Sequence, residues 1–194
     1  MNHLTYAMKK LQWLLLSGGI LIASFPLVYK PSRILFPQLN NVRCEASNVC
    51  LEDINRIDEA KNLLSNAKYQ IEFKLGKLSY QPRFIFCSTQ KCFQSFGFDQ
   101  AAAMTLGKSA TVVSPRGWKK YYIRHELIHH WQADKIGRVK MLFAPQWLIE
   151  GMAYYLSDDP RNLSEPFQSY RQRFKHWYSK IEQDDLVQAI KQEL

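Results

Sequence analysis

Arg124-His125-Glu126-Leu127-Ile128-His129-His130-Trp131 contains the pattern H-E-x-x-H. On a helix, His125 and His129 lie one above the other on the same face. Two imidazoles so placed can share one metal ion, and Glu126 sits just round the helix from them. Zinc lowers the pKa of a bound water to about 7, and a neighbouring carboxylate can then take its proton during attack on a carbonyl. The plainer reading is a polar helix stripe whose two histidines are satisfied by hydrogen bonds.

Downstream lies Pro145-Gln146-Trp147-Leu148-Ile149-Glu150-Gly151-Met152-Ala153-Tyr154-Tyr155. It reads as a second helix, with Pro145 suited to the first helical position. A catalytic zinc takes three protein ligands and keeps one position open. Glu150 is the natural third ligand, and its apolar neighbours imply a buried carboxylate that needs a cation or donors. Gly151 costs about 1 kcal/mol relative to Ala inside a helix, which points to a close backbone approach at that position.

H-E-x-x-H followed by W-L-x-E-G-x-A resembles the gluzincin metallopeptidases, especially the peptidase MA-like group, over residues 119–156. The resemblance implies a zincin fold, one zinc ion and peptide-bond hydrolysis. It implies His125, His129 and Glu150 as ligands and Glu126 as general base and acid. Thermolysin-like members carry an Asp four residues after the ligand Glu, where this chain has Tyr154. The G-x-M-E-N motif of gluzincin aminopeptidases is absent, so aminopeptidase specificity is not implied.

The motif helix is expected from about Trp118 to Ile136, with Gly137 as its stop. His125, His129 and Gln132 share one face, while Ile123, Leu127 and Trp131 lie roughly opposite. His130 reads as structural, and Asp134 is a weaker candidate for orienting a ligand histidine. Tyr154 is either a core aromatic or a donor to the site. His176 is a further candidate donor, within an expected helix marked by Phe167, Tyr170, Phe174 and Trp177. Arg171, Arg173 and Lys175 give that helix a basic side that could face anionic lipid or substrate. Thr111-Val112-Val113-Ser114 is β-prone. By the resemblance it could be the cleft-lining edge strand that pairs with substrate; otherwise it is a plain structural strand.

Upstream, Leu51 to about Tyr69 has helical apolar spacing. Ile71-Glu72-Phe73-Lys74-Leu75 alternates like a strand, and Arg83-Phe84-Ile85-Phe86-Cys87 is a stronger one. Pro31 to Asn41 and Gln94 to Lys108 read as irregular. Leu186, Val187 and Ile190 suggest a last short helix. The fold class is therefore α+β: a small twisted sheet, an active-site helix across it, and a mostly helical C-terminal half.

Residues 1–30 form a leader: Lys9 and Lys10 precede an uncharged run from Leu11 to Tyr29. That run approaches the roughly 20 residues needed to span a bilayer, so it reads as an uncleaved anchor, with a cleaved signal peptide as the alternative. Residues 31–43 read as a linker and 44–194 as the zincin-like domain. All 4 cysteines follow the leader and none makes a C-x-x-C spacing, which fits disulfides in an oxidising compartment rather than a structural zinc site. Local pairs, Cys44–Cys50 and Cys87–Cys92, are expected. The net charge of +9 favours anionic neighbours, but no nucleic-acid-binding motif is present. The expected function is a membrane-tethered, extracytoplasmic, zinc-dependent hydrolase acting on peptides or proteins. A zinc-stabilised, non-catalytic binding module of the cell envelope is the alternative, and an amidase acting on cell-wall peptide crosslinks is a second enzymatic one.

Overall fold

A computed structural model of the chain describes residues 30–45, 48–182 and 185–194. The expected membrane anchor falls almost wholly outside the described residues. Among those residues no helix is long and apolar enough to cross a membrane.

The architecture is α+β, built on one mixed sheet of five strands: β1 (Arg43–Cys44), β2 (Val49–Leu51), β3 (Phe84–Phe86), β4 (Ala103–Leu106) and β5 (Ala110–Val113). Their spatial order is β1-β2-β3-β5-β4. β2, β3 and β5 run parallel, and antiparallel β1 and β4 close the two edges. Phe84-Ile85-Phe86 is apolar throughout because the middle strand is covered on both faces. Alternation sends Phe84 and Phe86 into one core and Ile85 into the other.

The larger core lies between the sheet and the long helices. These are α2 (Ile57–Leu75), α4 (Lys120–Lys135), α6 (Gln146–Leu156) and α7 (Phe167–Tyr178), with α8 (Leu186–Gln192) beside them. The smaller core lies on the other face under α1 (Lys30–Leu35) and α3 (Gln90–Ser95), with Ile34, Cys92, Phe93 and Phe96 at its centre. Helix α5 (Arg138–Phe143) is a short connector from α4 to α6. The disulfides are Cys44–Cys50, which joins paired residues of β1 and β2, and Cys87–Cys92, which joins the end of β3 to α3.

Several expectations change. Ile71–Leu75 is not a strand but the last turns of α2. A strand would put Ile71 and Phe73 on one face; the helix buries Ile71 and leaves Phe73 exposed. Gly76 ends the helix with a positive φ, its N–H reaching Glu72 O, and Trp131 Nε1 donates to Leu75 O at 2.8 Å. The expected linker is partly helical and packed, since Ile34 is buried. The expected loop from Gln94 to Lys108 contains the end of α3 and strand β4.

Candidate metal centre

Helix α4 crosses the sheet with its apolar side down: Ile123, Leu127 and Trp131 are buried in the larger core. Its neighbour α6 packs closely on α7. A Cβ on Gly151 would lie 2.3 Å from Tyr170 O and 2.8 Å from Tyr170 C, so only glycine lets the two backbones approach this far. Gly151 thus seats the helix on which Glu150, the preceding residue, projects toward α4.

The side chains of His125, His129 and Glu150 converge, and together they form a group able to hold a metal ion. The two Nε2 atoms are 3.1 Å apart. Glu150 Oε2 is 3.6 Å from His125 Nε2, and Oε1 is 3.5 Å from His129 Nε2. Ligands about 2.0–2.1 Å from a tetrahedral ion stand about 3.3 Å from one another. Each of the three observed separations, measured to the nearer carboxylate oxygen, is close to that value.

The surroundings support this arrangement. Gln132 Nε2 donates to the carbonyl of Ile149 at 3.0 Å. That fixes Gln132 Oε1 as the acceptor of the 2.9 Å bond with His129 Nδ1. His129 therefore carries its proton on Nδ1 and turns the Nε2 lone pair toward Glu150 and His125. The same glutamine ties α4 to α6 one residue before Glu150. The Tyr154 ring meets His125 edge-on, with centroids 4.5 Å apart.

Electrostatics bind the three groups together. Burial works to lower the His125 pKa, but the hydrogen bond and charge of Glu150, with that of Glu126, raise it overall. Burial works to raise the Glu150 pKa, but His125 and His129 lower it overall. Two imidazole nitrogens and a carboxylate this close require positive charge among them, from a proton or a cation.

The triad lines a cleft of about 610 Å³. Glu126 lines it too, is buried, and has no hydrogen bond or ion pair among the described residues. A buried carboxylate in that condition faces whatever occupies the cleft. One wall is the β4 side: Ala102, Ala103, Met104 and Thr105. Tyr154, Phe167 and Arg161 line the cleft as well. Arg161 is fixed by Asp159, bonding through Nε to Oδ1 at 2.9 Å and through Nη2 to Oδ2 at 2.5 Å. Its Nη1 donates to Tyr122 Oη at 2.6 Å.

Other expected residues lie elsewhere. His130 is structural: Nδ1 meets Tyr80 Oη at 2.8 Å and Nε2 meets Thr111 Oγ1 at 2.9 Å, joining α4 to β5. Burial, with His129 beside it, pushes its pKa down to about 3, so it is neutral. Asp134 does not orient a ligand histidine; it bonds Ser79, Lys108 and Lys135. His176 is exposed on α7 and is not part of the cleft wall. Strand β5 is interior, so the Thr111–Ser114 segment is not the cleft edge; that place belongs to β4. The sequence reading did not anticipate β4, Arg161 or the bridging role of Gln132. Only Gln132 left a signal, as a polar residue on the histidine face.

A second group, Glu52, Cys87 and Cys92, also has metal-like spacing. Its cysteines are joined in a disulfide and offer no thiolate. Glu52 instead accepts from Ser88 N, Thr89 N and Thr89 Oγ1 at the start of α3. No family model, no curated protein and no solved structure matches this chain.

Proposed function

We propose that the chain is a zinc-dependent hydrolase of peptide bonds with a zincin-like domain. It would be tethered to a membrane by the N-terminal run and act on the extracytoplasmic side. The observation that carries this reading is the convergence of His125, His129 and Glu150, set beside Glu126, which lines the same cleft without a hydrogen bond among the described residues. Two imidazoles and one carboxylate suit zinc among the common divalent ions. When bound, zinc supplies Lewis acidity, making a water acidic near neutral pH and polarising a carbonyl.

The chain's own residues do the rest. His125, His129 and Glu150 hold the ion, and Gln132 orients His129. Glu126 takes the proton of the attacking water and returns it to the leaving nitrogen. Tyr154 is the neutral donor to the developing oxyanion. Burial, aided by the charge of Glu150, raises its pKa to about 12, so its hydroxyl keeps its proton at neutral pH. Arg161, held by Asp159, supplies fixed positive charge on the cleft wall. The cleft extends along β4, an edge strand that an extended peptide could join. Two disulfides fit an oxidising compartment.

Cleavage of a broad peptide library, with and without chelator, tests the proposal. Chelator-sensitive cleavage is expected, and Glu126→Gln should keep the metal while losing about 100-fold or more in turnover. Unchanged turnover in that variant would reject the mechanism. No chelator-sensitive cleavage at all would favour the binding module.

A further inference from the structure

Helix α5, Arg138-Val139-Lys140-Met141-Leu142-Phe143, connects the two halves of the metal centre. Three of its six residues are large, apolar and exposed: Val139 at 70%, Leu142 at 80% and Phe143 at 82%. At about 100° per residue they fall within one arc of about 100°. Arg138 borders that arc on one side and Lys140 on the other. Met141 points the opposite way, packs against the core and lines the cleft. The helix is thus anchored by its inner face and presents an apolar ridge between two cations.

Along the chain, no Asp or Glu occurs from Lys135 to Ile149. Water is a poor environment for three adjacent apolar side chains, so a surface of this kind marks a contact. A protein partner would have to supply a groove shaped to this ridge. Lipid makes no demand on shape; it accepts apolar tips below the headgroups while Arg and Lys stems keep their charges at the phosphates. The charge of the chain, +9, has the sign that an anionic bilayer attracts.

We propose that α5 is a membrane-interface helix: Val139, Leu142 and Phe143 enter the headgroup region of an anionic bilayer, with Arg138 and Lys140 on lipid phosphates. The inference rests on the exposed face of α5 and is independent of the hydrolytic reading. Because Met141 lines the cleft from the same helix, insertion would bring the cleft close to the lipid.

The full chain, reconstituted in nanodiscs, allows a direct test. The native cysteines are paired, so an environment-sensitive fluorophore can be placed on Leu142→Cys, or on Lys61→Cys at the exposed side of α2 as reference. On discs containing phosphatidylglycerol, the label at position 142 should shift to the blue and be quenched by brominated lipid, while the reference label should not. Neutral discs should give clearly less quenching at 142. Adding Arg138→Ser and Lys140→Ser should remove the difference between the two lipids. A label at 142 as water-exposed as the reference, or quenching equal on neutral and anionic discs, would overturn the proposal. So would a response that appears only when another protein is added.

Discussion

Gln132 does more for the metal centre than its residue type suggests. One amide accepts from His129 and donates to the carbonyl before Glu150, so it aligns candidate ligands from two helices at once. Replacing it with Leu keeps the volume and removes both bonds. Partners of this kind contribute about 10- to 100-fold to metal affinity, so Gln132→Leu should weaken zinc binding by that order in a competition titration. Unchanged affinity would mean that His129 is oriented by packing alone. His125, His129 and Glu126 were legible in the sequence because their relation is local, set by the helix repeat. Gln132 lay on the correct face, but its role depends on a carbonyl of another helix, and no spacing rule reports that. Asp134 misleads for the same reason: its donors, Ser79 and Lys108, are far away in the chain.

Among the elements, α6 and β4 set the shape of the cleft. Gly151 was readable as a packing glycine, and its partner is the backbone of Tyr170 on α7. Ala at this position gains about 1 kcal/mol of helix propensity. It also places a methyl against a carbonyl that cannot move without shifting α7, and overpacking of this kind costs about 1–3 kcal/mol. Backbone contact at 2.3 Å puts the cost toward the upper end, so Gly151→Ala should be destabilised by about 1–2 kcal/mol in urea unfolding. A neutral or stabilising result would show that α6 and α7 can separate freely. Strand β4 was missed because it is only four residues long, opens on Ala103 directly after Ala101 and Ala102, and so shows little strand propensity. Pairing with β5 holds it, as in Thr105 opposite Thr111 with hydroxyls 2.5 Å apart. The strand expected at Ile71–Leu75 failed for the converse reason: a short alternating run also fits the end of a long helix whose inner face is already set.

For the whole molecule, Asp134 joins three distant parts: the loop at Ser79, the hairpin at Lys108 and helix α4. Burial works to raise its pKa, but the Ser79 donors and the Lys108 and Lys135 ammonium groups hold it well below the usual carboxylate range. A carboxylate with a depressed folded pKa stabilises the fold above the unfolded value, near 3.9, and loses that contribution as pH falls. Stability should therefore drop as pH is lowered through about 4 and below, and Asp134→Asn should flatten that drop while lowering stability at pH 7 by about 1–3 kcal/mol. Equal acid sensitivity in the two proteins would remove Asp134 as a cause. The α+β class and both cysteine pairings were legible from local patterns, whereas the strand order β1-β2-β3-β5-β4 was not, because long-range pairing leaves no periodic trace. The central claim concerns the ion itself, and metal content of the purified full chain, measured beside His129→Ala, tests it most directly. The account predicts one zinc per chain in the native protein and its loss in the variant with the fold retained; a native protein without stoichiometric metal, or a His129→Ala variant that keeps it, would contradict the account.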